Sequence, residues 1–288
     1  MKPLKNILEG ILDRSNRQNV GNNLADECLK WVTENYTGKF YVSGTMDGKV
    51  LISSKGNVKR KTELTEVTNG GFLFDKINGH FDIHGLRNLT SLYGCPSYVK
   101  GDFKMGDCPY VCNFQFAPKE IGGWLIAKNC ISITSVSDVP LADGYDLRET
   151  RIIDLVGLPD KIGGDVWVEG CRNLKTLKGS PKQVGGTFNC NNTPIHSLVG
   201  APEKVGSNFQ CSACMNITSL EGAPREVGLC LFCDYCTFLK TLKGCPKKVA
   251  NTIWISHDYD LEDISDAPKD VRIIGIESCP LIRNRYKE

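Results

Sequence analysis

The sequence predicts a mainly β fold: a parallel β-solenoid, or leucine-rich-repeat-like coil, of about nine 22-residue units behind a small α+β N-terminal cap. Three observations carry this prediction. Prolines recur at an almost constant interval, the residues between them fall into chemically uniform apolar columns, and a period-2 alternation follows each proline.

Residues 1–70 read as the cap. Helical apolar spacing runs through 3–13 (Leu4, Ile7, Leu8, Ile11, Leu12) and 20–35 (Leu24, Cys28, Leu29, Val32). From Lys39, KFYVSGTMDGKVLISS reads as a hairpin, because Asp47-Gly48 accepts the positive φ angles of a tight turn. The ILEGILD segment from Ile7 reads as a short amphipathic helix expected to pack on the first coil, with a docking peptide for a larger assembly as the alternative.

Residues 71–288 read as the repeats. Pro96, Pro118, Pro140, Pro159, Pro181, Pro202, Pro224, Pro246 and Pro268 are separated by 22, 22, 19, 22, 21, 22, 22 and 22 residues, and a copy without the proline begins at Asn78. Four columns are apolar. They run from Leu89 to Leu261 seven residues before the proline, Leu92 to Ile264 four before, Val99 to Val271 three after and Phe103 to Ile253 seven after. One copy buries five or six apolar side chains at about 1.5–3 kcal/mol each, against about 1–2 kcal/mol for every backbone residue ordered. A single copy therefore cannot fold alone, and the copies must stack.

Within a copy, Gly186-Thr187-Phe188-Asn189-Cys190 alternates as a strand does, and the L-x-x-L segment before the proline is expected to supply a second extended piece. The Gly-x-Pro and Gly-Gly sequences are read as turns. Pro280-Leu281-Ile282 is expected to start one more coil, which RNRYKE stops with charge.

Composition excludes several function classes. Thirty-five basic against 33 acidic residues give a net charge of +2, so no nucleic-acid or anionic-membrane surface is expected. No apolar stretch reaches 18 residues and the N-terminus lacks a signal-peptide pattern, so a cytoplasmic, membrane-free protein is expected.

Fourteen cysteines admit a disulfide framework, a metal site or small core fillers. Cys211-x-x-Cys214 with Cys230-x-x-Cys233-x-x-Cys236 has zinc-ribbon spacing. The repeat register favours core filling: Cys190, Cys211 and Cys233 share a column with Met105, Ala127, Val168 and Ile255, and Cys108, Cys130, Cys171, Cys214 and Cys236 share another. His80, Asp82 and His84 alternate along one strand and are the remaining metal candidates, with a solvated edge as the favoured reading. No glycine-rich motif opens a helix and no nucleophile elbow is present, so neither an enzyme nor a cofactor is expected.

Outward strand positions, six and eight after the proline, should be polar. In the central copies they are Thr187, Asn189, Asn208 and Gln210, but elsewhere they are Trp124, Ile126, Trp167, Phe232 and Trp254. Exposed aromatics on a rigid sheet are typical binding anchors, so these five are the candidate partner-binding residues. Charged turns such as Lys119-Glu120 and Arg225-Glu226 are read as solubilising.

The pattern L-x-S-L-x-G-x-P-x-x-V-G-G-x-F-x-C, clearest at residues 174–236, resembles the short leucine-rich-repeat-like proteins of tailed bacteriophages and prophages. The ILEGILD leader and the Trp31-to-Phe40 segment resemble theirs too, so the likeness covers nearly the whole chain. It implies a parallel β coil and a viral origin, but carries no activity and no functional residues. The expectation is a non-enzymatic scaffold binding a host protein in the infected bacterial cytoplasm. A virion component held by its N-terminal segment and a metal-binding module are the alternatives.

Overall fold

The structure, a computed structural model, describes residues 14–285. It is mainly β, a parallel β-solenoid of about ten turns of about 22 residues. The expected helix over 3–13 lies outside the described residues. The chain forms two compact units, one reaching to Ile126 and including Pro140–Ala142, the other comprising Ala127–Val139 and the chain from Asp143.

The first unit opens with α1 (Arg14–Asn35), which contains the expected second helix and starts earlier, followed by β1 (Tyr36–Thr37), β2 (Phe40–Met46) and β3 (Lys49–Ser54). β2 and β3 form the expected antiparallel hairpin, with Asp47 and Gly48 at φ 51° and 75°. β1 pairs antiparallel with β4 (Val58–Arg60), and from β4 onward every pairing is parallel. One ladder runs from β4 through Phe81–Asp82 and Phe103–Lys104 to Trp124–Ile126. A second runs from β3 through β5 (Phe72–Ile77) and Tyr98–Val99 to Glu120–Ile121. Aromatic rings fill the start of this unit. Tyr36 packs on Phe74 and Phe81 with ring centroids 5.2 and 6.1 Å away, and its hydroxyl donates to the Val67 carbonyl at 2.9 Å.

The second unit has the same two ladders. One runs from Gly144–Asp146 through Val166–Trp167, Phe188–Asn189, Phe209–Gln210, Leu231–Phe232 and Thr252–Trp254 to Arg272–Ile274. The other runs from Lys161–Ile162 to Lys248–Val249. The 19-residue interval is absorbed without loss of register, since Tyr145 and Asp146 pair with Val166 and Trp167 as their counterparts do.

The four apolar columns are buried along almost their entire length, and the exceptions, Ile264 and Val271, are half-buried in the last turn. Two sequence expectations are corrected. The second ladder does not pass through the L-x-x-L segment but through the residue pair two and three after the proline, such as Gln183–Val184. In the L-x-x-L segment a Ser, Thr, Asn or Asp five residues before each proline accepts a hydrogen bond from the backbone N–H two residues on. This recurs from Ser91 to Asp263 at 2.9–3.4 Å, so the segment turns where a strand would extend. Pro280 starts not another coil but α2 (Pro280–Arg285), as suits a residue whose missing N–H costs nothing at a first helical position.

The chain bends at the Gly-Gly pairs as expected, as at Gly185-Gly186 between its two ladders, and the glycine after the valine is in addition a close approach to the neighbouring turn. A Cβ on Gly206 would run into the carbonyl oxygen of Gly185 one turn back, and one on Gly228 into that of Gly206.

All the cysteines carry free thiols. Those of the column twelve after the proline are buried and also act as donors. Cys171, Cys214 and Cys236 point their thiols at the carbonyls of Leu147, Cys190 and Cys211 one turn back, at 3.2–3.3 Å. Thr150 and Thr193 occupy this column where a turn is shortened, donating to Leu147 and Cys190 at 2.7 Å. Burial pushes the Cys108 and Cys171 thiols up to about 11, which keeps the S–H proton in place.

Candidate binding surface

Strand alternation sets the candidate surface. When residues seven and nine after a proline face the core, residues six and eight face outward. In the second unit, strand registers align Asp146, Trp167, Asn189, Gln210, Phe232, Trp254 and Ile274 in one outward column. Adjacent members are about 4.8 Å apart, so two polar turns separate Trp167 from the Phe232–Trp254 pair by about 14 Å.

The two aromatic places in this column differ in their cover. Arg148 forms a two-pronged pair with Asp146, at 2.8 and 2.7 Å, and its guanidinium lies 4.6 Å from the centre of the Trp167 ring. Phe232 and Trp254 instead stack on each other, centroids 6.1 Å apart and planes 8° apart, with Trp254 36% exposed and Phe232 half-buried. In the first unit Trp124 and Ile126 are half-buried, and the backbone N–H of Trp124 donates to Asp102 Oδ1 at 3.0 Å.

The corner after this strand carries residues that sequence reasoning missed. Eleven residues after the proline the backbone is left-handed, commonly at Gly, Asn or Asp, as at Asp107, Asn129, Gly170 and Asn192. Tyr235 and His257 take this conformation at φ 60° and 59°, and their rings stack 4.5 Å apart. Tyr235, Phe238 and Tyr259 are 49%, 55% and 53% exposed. The signal was readable in the alignment as a tyrosine and a histidine in a column of turn formers. Along the same corner of this unit lie two open depressions of about 320 and 200 Å³, with Arg172 in the lining of both.

The three metal candidates are not brought together as one set. His84 Nδ1 lies 2.7 Å from Asp82 Oδ1, while His80 Nδ1 accepts the backbone N–H of Asp102 at 2.9 Å. Among the described residues no three His, Cys, Asp or Glu side chains are placed to hold a metal ion, the zinc-ribbon-spaced cysteines included. Among the same residues no helix is long and apolar enough to cross a membrane.

These features define the chain as a β-solenoid scaffold whose regular interior presents an outward column with local aromatic sites. Compared with known proteins, the chain matches no family model, no curated protein and no solved structure.

Proposed function

We propose that this chain is a non-enzymatic, protein-binding scaffold of bacteriophage type, which engages a host protein through its outward strand face. The observation that carries the reading is the paired aromatic step at Phe232 and Trp254, set in a column that is otherwise largely polar. The stack covers one side of the indole, yet more than a third of Trp254 stays exposed on a rigid sheet. Large aromatics on a rigid frame lose little entropy on binding and are enriched at interface hot spots. Trp167 in the same unit, and Trp124 with Ile126 in the first unit, are the further contact residues of this proposal. The phage setting rests on the resemblance of the repeat pattern.

The test is a tagged pull-down from bacterial lysate, comparing wild type with a Trp124/Trp167/Trp254→Ser variant that circular dichroism shows to be folded. The expected result is a protein captured by wild type alone. Identical eluates overturn the strand face as the binding surface.

A further inference from the structure

The chain contains its own example of how an outward tryptophan in this column is satisfied. Asp146 pairs in register with Trp167, and Arg148, two residues further along, folds its guanidinium over the indole while Asp146 grips it. At the other aromatic site, Phe232 pairs in register with Trp254, and Asp234 stands two residues further along. Asp234 thus holds the place of Arg148 and Phe232 that of Asp146. A stacking surface and a carboxylate are present, but the cation is absent: among the described residues no lysine or arginine is seated over Phe232 or Trp254.

Asp234 is also held ready. Its carboxylate accepts from Ser256 Oγ at 2.9 Å and Ser212 Oγ at 3.4 Å, and its N–H donates to Ser212 Oγ at 3.3 Å. Two hydroxyl donors leave a carboxylate with acceptor capacity to spare.

We propose that Trp254, Phe232 and Asp234 form a seat for an arginine side chain presented by the protein partner. This rests on the binding-face reading above and names the chemistry recognised there. Arginine fits better than lysine because a planar guanidinium lies flat on an indole while directing N–H groups at a carboxylate, as Arg148 does over Trp167. Tyr235 and His257, next in sequence to Asp234 and Ser256, continue the aromatic surface along the corner.

The test titrates the full chain with N-acetyl-arginine methylamide and reads the indole N–H signals by NMR. The Trp254 signal is assigned by its loss in Trp254→Phe. The expected result is a saturable shift of that signal, absent with the uncharged citrulline analogue and about fivefold or more weaker in affinity in Asp234→Asn. A Trp254 signal that does not move, or that moves equally with citrulline, overturns the seat. The citrulline comparison needs only wild-type protein, so it decides even if Asp234→Asn fails to fold. If the pull-down partner is lost in Trp254→Ser while the arginine probe leaves Trp254 unmoved, the arginine seat is wrong and the binding face stands. Capture unaffected by the tryptophan substitutions removes the face itself.

Discussion

Asp258 is where one residue departs furthest from its column. It stands twelve residues after Pro246, where other turns place Cys108, Cys130, Cys214 or Cys236, and it is fully buried with no hydrogen-bond partner on either carboxylate oxygen. Burial pushes its carboxyl up from 3.8 to about 8, and the charge of Asp234 adds to the rise. Well below pH 3.8, folded and unfolded chains both hold this proton and it costs nothing. Between there and about pH 8 the unfolded chain releases it while the folded chain keeps it, so stability falls by up to about 1.4 kcal/mol per pH unit and then levels off. Asp258→Asn is expected to remove that slope. Urea midpoints at pH 4.5 and 8.5 check this, the variant exceeding wild type at the higher pH only; parallel curves refute it. Composition does not reveal such a residue, since one aspartate among 33 acidic residues becomes unusual only when its column is known.

At the scale of elements, the glycines after the valine set how closely successive turns approach. Gly206→Ala is expected to cost several kcal/mol, beyond the roughly 1 kcal/mol of an ordinary strand substitution, because its Cβ has only the Gly185 carbonyl to displace. Chemical denaturation measures it, with exposed Lys178→Ala as the near-neutral comparison. How legible each element was follows from its length and pattern. The outer strand, as at Phe188–Asn189, was readable because inward and outward residues alternate through it. The second ladder was not, because a two-residue strand such as Gln183–Val184 contributes one inward residue and so no period. The L-x-x-L segment was expected to extend, yet its serines and threonines accept a backbone N–H two residues on and bend it. Of the surface, the strand-face aromatics followed from alternation alone. The corner pair Tyr235 and His257 stands in a column of turn formers that strand alternation does not mark as outward, so it was passed over although the alignment carried it.

For the whole molecule, the repeats divide labour between directions. Inward columns are nearly uniform from turn to turn, as Leu174, Ile195, Ile217 and Leu239 show, while the outward column of the second unit changes from Asp146 to Trp167 to Asn189 without disturbing register. Stability therefore arises between neighbours and recognition can be rewritten turn by turn. Exposed ion pairs between successive turns, such as Lys182–Asp160 at 2.6 Å and Lys204–Glu226 at 2.9 Å, add little to that stability in water.

The short parallel ladders have a mechanical corollary. Within the second unit each strand is two or three residues long and bonds only to the turn before and the turn after. Tension applied between its first strand and α2 meets one small group of hydrogen bonds at a time, so the material should unspool rather than snap. Each released turn of about 22 residues frees roughly 70 Å of contour length at about 3.3–3.6 Å per residue. Optical-tweezer traces should then show a train of low, evenly spaced steps of that size, whereas a single large rip would mean that the turns fail together.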